Sequence, residues 1–262
     1  MILAVDVGNS NTTVGLFNGT GELLFRALLE TSRSKTRDQC AIELLGVFQL
    51  YGADACTVDG AILSSVVPPL TTIFTDAIAH LTGIPPMVVG PGIRTGLNIK
   101  AEIHNQLGSD IVASSVAAIA KYPSPIVMVD MGTATSLSLI VGSVYEGCII
   151  MPGLALALDA LSERAAALPP ISIETASPVG LMGHTTEEAM RSGVLYGHAS
   201  MVDGMLERIE ESIGQSVTTV ATGGNAPRIL RYCKRPIQYD ADLIMTGLYL
   251  LYQKNAKKYR KA

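Results

Sequence analysis

Two short segments concentrate groups suited to holding a phosphate. Val5-Asp6-Val7-Gly8-Asn9-Ser10-Asn11-Thr12 sets a carboxylate, a glycine and a run of amides and hydroxyls directly after the apolar stretch Ile2-Leu3-Ala4-Val5. Near the middle of the chain, Val129-Asp130-Met131-Gly132-Thr133-Ala134-Thr135-Ser136 has the same pattern. A strand ending in Asp-x-Gly brings a carboxylate, a flexible turn and several donors to one point, which suits a metal-bound phosphate. The first segment lacks the lysine of a P-loop, so backbone N–H groups would hold the phosphate. A magnesium ion keeps several waters and takes only one or two carboxylates, so Asp6 and the phosphates themselves would hold it. For one such turn alone, a polar Asx-turn closing a hairpin is the simpler account. The repeat, together with a third loop at Thr222-Gly223-Gly224, shifts the weight toward a nucleotide.

These turns need strands and helices to position them. Each Asp-x-Gly segment lies between two apolar runs, Val14–Phe17 following the first and Leu137–Val141 the second, so both read as hairpins. The distance between the copies is too long for a solenoid and implies two related domains facing each other. Gly60–Val67 and Met87–Val89 read as strands, Leu70–Leu81 and Asp110–Lys121 as helices, and Pro123 and Pro125 mark a boundary. The expected domains are therefore 1–122 and 123–262. Thr185-x-x-Glu188 has the form of a capping box, and Met201, Met205, Ile209 and Ile213 recur four apart, predicting a long amphipathic helix with its methionines in the core. Ser216–Ala221 reads as a strand leading into Thr222-Gly223-Gly224-Asn225, with a helix over Pro227–Tyr232.

Composition removes several function classes. The 262 residues are 48% hydrophobic and 16% charged, which is ample for ordinary cores and excludes a disordered chain. A net charge of -4 provides no general attraction for phosphate backbones or anionic lipid, so no nucleic-acid partner is expected. Asp, Pro or Gly interrupts every apolar run before membrane-spanning length, and no membrane partner is expected. Met1 is followed at once by a strand-like run with no leader pattern, and Cys40, Cys56, Cys148 and Cys233 form no Cys-x-x-Cys pair. Reduced thiols in the cytoplasm are the expectation, with Cys148 a buried small residue rather than a nucleophile.

Taken together, the Asp-x-Gly-Asn start, Gly108-Ser109-Asp110, the Asp130-x-Gly132-Thr133 repeat, Pro152-Gly153, Thr186-x-x-Ala189-Met190-x-Ser192-Gly193, Thr222-Gly223-Gly224 and Asp242-Leu243-x-x-x-Gly247-Leu248 resemble the type III pantothenate kinases, in the family's order and over almost the whole chain. The resemblance implies an α/β fold of duplicated ribonuclease H-like (actin-like ATPase) domains with a central cleft. It also implies a homodimer, ATP with magnesium, a monovalent cation such as potassium or ammonium, and phosphorylation of the primary hydroxyl of pantothenate in coenzyme A biosynthesis. Residue by residue, it puts the ATP phosphates on Asp6, Val7, Gly8, Asn9, Ser10, Asn11, Thr12, Thr13 and Thr133, with Gly223 and Gly224 as a further nucleotide loop. Asp130 matches the monovalent-cation ligand.

Asp110 matches the general base that takes the proton of the acceptor hydroxyl, which accords with phosphoryl transfer being mainly positioning and charge stabilisation. Helix N-capping is the plain structural role for an Asp at that place, and both roles can hold together. The resemblance puts the acceptor on Gly108, Ser109, Asp110, Ile111 and Thr186. The family pattern carries Arg where Ile111 stands, Tyr where Ala101 stands and Asn-Pro where Ile103-His104 stands. An isoleucine offers no fork of donors to a carboxylate. The acceptor carboxylate would then be held by His104, His184 or a backbone amide. Two readings stand beside this one. One is a kinase of the same fold with a changed acceptor such as a pyridine riboside, and the other is a nucleotide-binding regulator without catalysis. The presence of Asp6, Asp110 and Asp130 argues against the regulator.

Overall fold

The structure, a computed structural model, describes residues 1–100, 107–174 and 179–259. Every residue of β1 (Ile2–Val7) is buried, as suits a central strand covered on both faces. It pairs antiparallel with β2 (Asn11–Phe17) and parallel with β4 (Gly60–Ser65). With β3 (Leu23–Glu30) and the short β5 (Met87–Val88), the order across the sheet is β3-β2-β1-β4-β5. The period of two decides which side chains go where. Leu3, Val5 and Val7 face α1 (Arg37–Leu50) and α2 (Pro68–Thr82), joining Leu44, Phe48, Leu70 and Phe74 in one core. Ile2 and Ala4 face the other way and pack with Met245, Leu248 and Leu251 of α7 (Leu243–Tyr259).

The helices start and stop where local chemistry directs them. Thr36 and Gln39 cap α1 reciprocally, while Pro68 and Pro69 open α2, which ends at Gly83 with φ 73°. The two prolines thus begin a helix as well as ending the strand before it. After the two-residue β6 (Asn98–Ile99), α3 (Ser109–Lys121) runs against α7. The contact is close enough that a Cβ on Gly247 would lie 1.8 Å from the Ala113 carbonyl oxygen.

A second set of elements repeats the plan. The strands β7 (Ile126–Met131), β8 (Ala134–Val141) and β9 (Val144–Pro152) form an antiparallel meander, and β10 (Thr218–Thr222) and β11 (Gln238–Tyr239) continue parallel from β7, giving β11-β10-β7-β8-β9. The connections are α4 (Leu154–Arg164), α5 (Thr186–Ile213) and α6 (Ala226–Leu230). Val127, Val129 and Met131 pack on Leu154, Val194, Val202 and Leu206. Three antiparallel strands, then one helix in the first copy and two in the second, a parallel strand, a helix and a parallel strand occur in both, so the chain is a duplicated ribonuclease H-like fold. In α5 the buried seam runs through Leu195, Val202, Leu206 and Ile209, with Met201 and Met205 partly buried at its side.

The chain divides into Met1–Lys121 with Asp242–Ala262, and Tyr122–Ala241. The reading from sequence gave everything after residue 122 to one domain. The difference has a physical cause, since α7 buries its apolar side chains against the first sheet. Cys148 also differs from expectation. It is exposed on β9, and the space beside Ser138 is filled instead by Tyr145, whose hydroxyl lies 3.0 Å from the Ser138 Oγ. Among the described residues, no helix is long and apolar enough to cross a membrane.

Candidate nucleotide and acceptor sites

In the first unit, β1 ends at Val7 and the chain turns through Gly8, Asn9 and Ser10 into β2. The Gly8 N–H donates to the Asn11 carbonyl at 3.0 Å, and a Cβ on Gly8 would approach that oxygen to 2.9 Å, so the turn needs a glycine there. Asn9, Ser10 and Asn11 are exposed, and Gly8 and Thr13 half-buried. Val7 and Thr12 are buried; Val7 belongs to the core, and the Thr12 hydroxyl lies 2.8 Å from that of Thr31. The segment between β3 and α1 is tied to the turn a second time, through the Thr31 N–H and the Ser10 carbonyl at 3.0 Å. Arg33 from the same segment reaches Asn9 Oδ1 at 3.5 Å. Asp6 is only 8% exposed and stands in register with Thr13 on one side and Ser64 on the other.

The Gly108-Ser109-Asp110 segment reaches the same end of the same sheet. Ser109 Oγ donates to the Ser65 carbonyl at 3.2 Å, accepts the Ser65 N–H at 3.1 Å and lies 2.9 Å from Ser64 Oγ. With its own proton committed to Ser65, it accepts from Ser64. The start of α3 is thereby fastened beside the strand that carries Asp6. Asp110 is half-buried, and its Oδ1 accepts the Ile111 N–H at 2.8 Å. A Cβ on Gly108 would come within 2.3 Å of that oxygen, which accounts for the glycine. Burial pushes the Asp110 carboxyl above the usual aspartate range, and the N–H groups of Ile111 and of Asp110 itself oppose the shift. A carboxylate of raised proton affinity, held at a helix start, is suited to general-base work.

In the second unit the corresponding turn follows β7. Asp130 is half-buried, opposite Ser136 on β8 and Thr222 on β10. The Gly132 N–H donates to the Ala134 carbonyl at 3.0 Å, echoing Gly8. The exposed Thr133 has its carbonyl engaged by the Gly153 N–H at 3.2 Å. Gly223 has φ +91°, and a Cβ there would lie 2.7 Å from Asp130 Oδ1 and from the Met131 carbonyl, so conformation and space both exclude a side chain. Gly224 is exposed, and Asn225 grips the turn through its N–H to Met131 O at 3.1 Å and its Nδ2 to Gly132 O at 3.2 Å. Thr186 is exposed at the first position of α5, where Thr185 accepts the Glu188 N–H at 3.2 Å. The return half of the expected capping box goes to a different donor, the His184 N–H, at 2.8 Å from Glu188.

Sequence reasoning missed Ser64, Thr31, Arg33, Asn225 and His198. Ser64 and Ser65 carry the same signal as the two turns, polar residues at the end of an apolar strand, and the same search would have found them. His198 gives no such signal. It is buried within α5, with Nε2 2.8 Å from the Thr135 hydroxyl, and burial lowers its basicity. Ala101, Ile103 and His104 lie outside the described residues. Among the described residues, no group of three or more His, Cys, Asp or Glu side chains is placed to hold a metal ion. Those residues therefore offer no all-protein metal cage.

The family model for type III pantothenate kinase matches residues 2–208. Over 258 residues the chain is 38% identical to a type III pantothenate kinase of Exiguobacterium, covering 98% of this chain and all of that one. A second, from Geobacillus thermodenitrificans, is 39% identical over 259 residues, covering 98% and 99%. The chain belongs to the type III pantothenate kinase family. As a family member it is a phosphotransferase acting on an alcohol group, using ATP and a small-molecule substrate. More distant solved structures carry the fold alone. An activator of 2-hydroxyisocaproyl-CoA dehydratase from Clostridium difficile with bound ADPNP matches at TM-score 0.58 and 11% identity, covering 99% of this chain and 97% of that one. A hexokinase from Thermus thermophilus matches at 0.51 and 14%, covering 98% and 99%.

Proposed function

We propose that this type III pantothenate kinase family member transfers the γ-phosphoryl group of ATP to the primary hydroxyl of pantothenate, in coenzyme A biosynthesis. The observation that carries the reading is the Ser64–Ser109 contact, which fastens Asp110 beside the strand end that bears Asp6. Asp110 takes the acceptor's proton as that oxygen attacks phosphorus, while the bond from phosphorus to the ADP oxygen breaks and its electron pair leaves with ADP. Gly8, Asn9, Ser10, Asn11 and Thr13 receive the phosphates through N–H, amide and hydroxyl donors, with Val7 and Thr12 holding the turn from below. In the second unit Thr133, Gly223 and Gly224 serve the nucleotide. Magnesium at Asp6 would neutralise phosphate charge, and Asp130 would hold a potassium or ammonium ion.

Gly108, Ser109, Ile111 and Thr186 complete the acceptor site in this reading, with His184 or a backbone amide as a donor for the pantothenate carboxylate. A homodimer and a cytoplasmic location accompany it, the first on the strength of family resemblance and the second on a cysteine pattern that suits reduced thiols. The absence of a cation at Ile111 favours one alternative, the same reaction on a different acceptor such as a pyridine riboside. A coupled ADP-release assay across pantothenate, pyridine ribosides and sugars, with and without potassium, separates the two. Turnover with pantothenate at ordinary efficiency supports the proposal, and turnover with a riboside alone replaces it.

A further inference from the structure

Phosphoryl transfer spreads negative charge over the three outer oxygens of the migrating group, and enzymes meet that charge with cations and fixed donors. The Gly8–Asn11 turn provides donors without a cation, because no lysine or arginine occurs from Asp6 to Phe17. The segment packed on this turn, Thr31-Ser32-Arg33-Ser34-Lys35-Thr36, carries two. It is held in place from both ends, by Thr31 on Thr12 and Ser10, and by Thr36 at the cap of α1. Lys35 is already engaged, its Nζ lying 2.9 Å from Glu43 and also bonded to the Glu30 carbonyl. The other arginines around this sheet edge are paired as well, Arg37 with Asp38 at 2.7 Å and Arg26 with Asp242 at 2.9 Å. Arg33 is different. It is exposed, it makes no ion pair among the described residues, and its hydrogen bond is the long one to Asn9 in the turn itself.

We propose that Arg33 is a catalytic residue whose guanidinium leaves Asn9 for the terminal phosphate of ATP and neutralises the charge that grows there during transfer. The inference rests on the reading of the Gly8–Asn11 turn as the phosphate site. Arg33 neither gains nor loses a proton in the step, since guanidinium stays charged throughout. The acceptor's proton goes to Asp110, the new bond forms between the acceptor oxygen and phosphorus, and ADP departs with the electrons of the broken one. A planar fork of donors also accounts for an arginine at this position, because it can bind two oxygens of one phosphate where a lysine binds as a point charge.

The test uses the full chain with Arg33→Gln and Arg33→Lys. Steady-state rates are measured with ATP, and equilibrium binding is measured separately for ADP and for a non-hydrolysable ATP analogue. Arg33→Gln is expected to lower kcat by about 10²- to 10³-fold, with Arg33→Lys recovering part of it. The same change weakens the ATP analogue and leaves ADP, which lacks the terminal phosphate, unchanged. Melting temperature should stay within error of wild type, because the side chain is exposed and makes one long contact. A kcat within twofold of wild type overturns the proposal, and so does equal weakening of both nucleotides, which would mean that Arg33 shapes the turn or serves an inner phosphate. If wild type ignores pantothenate, the acceptor reading fails, yet the comparison of ATP with ADP still decides the role of Arg33, since binding needs no acceptor.

Discussion

Ser109 Oγ lies 2.9 Å from the Oγ of Ser64, and Ser64 is the register partner of Asp6 on the adjacent parallel strand. Two segments 45 residues apart in the chain thus meet at one sheet end through a part-buried hydroxyl pair. The start of α3 is not free to wander, because Ser109 is also bonded to both the N–H and the carbonyl of Ser65.

Replacing Ser109 with Ala removes all three bonds and leaves the Ser64 hydroxyl buried without its partner. Such a loss costs about 1–3 kcal/mol of stability. The expected catalytic outcome is a reduced kcat with nucleotide affinity retained, since the lost contacts hold Asp110, the proposed base, and not the Gly8 turn. Steady-state kinetics beside ATP binding checks this, and a fall in ATP affinity as large as the fall in kcat would contradict it.

Asp110→Asn should abolish transfer while nucleotide binding survives. The raised proton affinity of Asp110 also sets a pH signature. The acid limb of kcat/KM should lie above the ordinary aspartate value of 3.8. For stability the sign is opposite to that of a salt-bridged carboxylate. A group that binds its proton more tightly when folded costs stability, fully above its folded pKa, and the cost vanishes as pH falls below the unfolded one. Asp110→Asn should therefore melt at or above wild type near neutrality, with the gap closing in acid. Thermal melts across that range are the check.

Gly223→Ala places a methyl group where φ is +91° and where backbone and the Asp130 carboxylate stand 2.7 Å away. The conformational cost alone is about 1–2 kcal/mol, and the clash adds to it. Lower melting temperature and faster proteolysis between β10 and α6 are expected. A variant as stable as wild type would contradict the geometry around Asp130.

His198→Leu strands the buried Thr135 hydroxyl and should cost about 1–3 kcal/mol, whereas His198→Gln can keep a partner for it and should cost less. The lowered basicity of His198 means that the folded state prefers the neutral ring. Stability is then lost as pH falls through the unfolded value near 6.5, and His198→Gln should flatten that slope. Denaturant titrations at neutral and mildly acid pH measure both effects.

The two turns were legible because they are local: strand, carboxylate, glycine and hydroxyls follow one another within eight residues, and the hairpins they imply are present as β1-β2 and β7-β8. The helices read over Leu70–Leu81 and Asp110–Lys121 are present as Pro68–Thr82 and Ser109–Lys121, although the two prolines read as the end of a strand are also the start of the first helix. Contacts between distant segments were not. Ser64 meets Ser109, Thr31 meets Thr12 and Asn225 meets Gly132 only because a sheet order sets them side by side, and no spacing in the sequence encodes that order. The place of α7 was missed for the same reason. An amphipathic helix announces that it will cover something, but not which of two sheets.

That helix bears on how the protein comes into being. The first sheet has one face protected by α1 and α2, and the other by Ala113 and Val116 of α3 together with Met245, Leu248 and Leu251 of α7, made after all of these. On a ribosome, every strand and helix of Tyr122–Ala241 emerges before α7 can complete that second cover. The later-made half can therefore complete its core first, while the earlier half waits with that face covered by α3 alone, the moment at which a nascent chain of this kind most needs a chaperone.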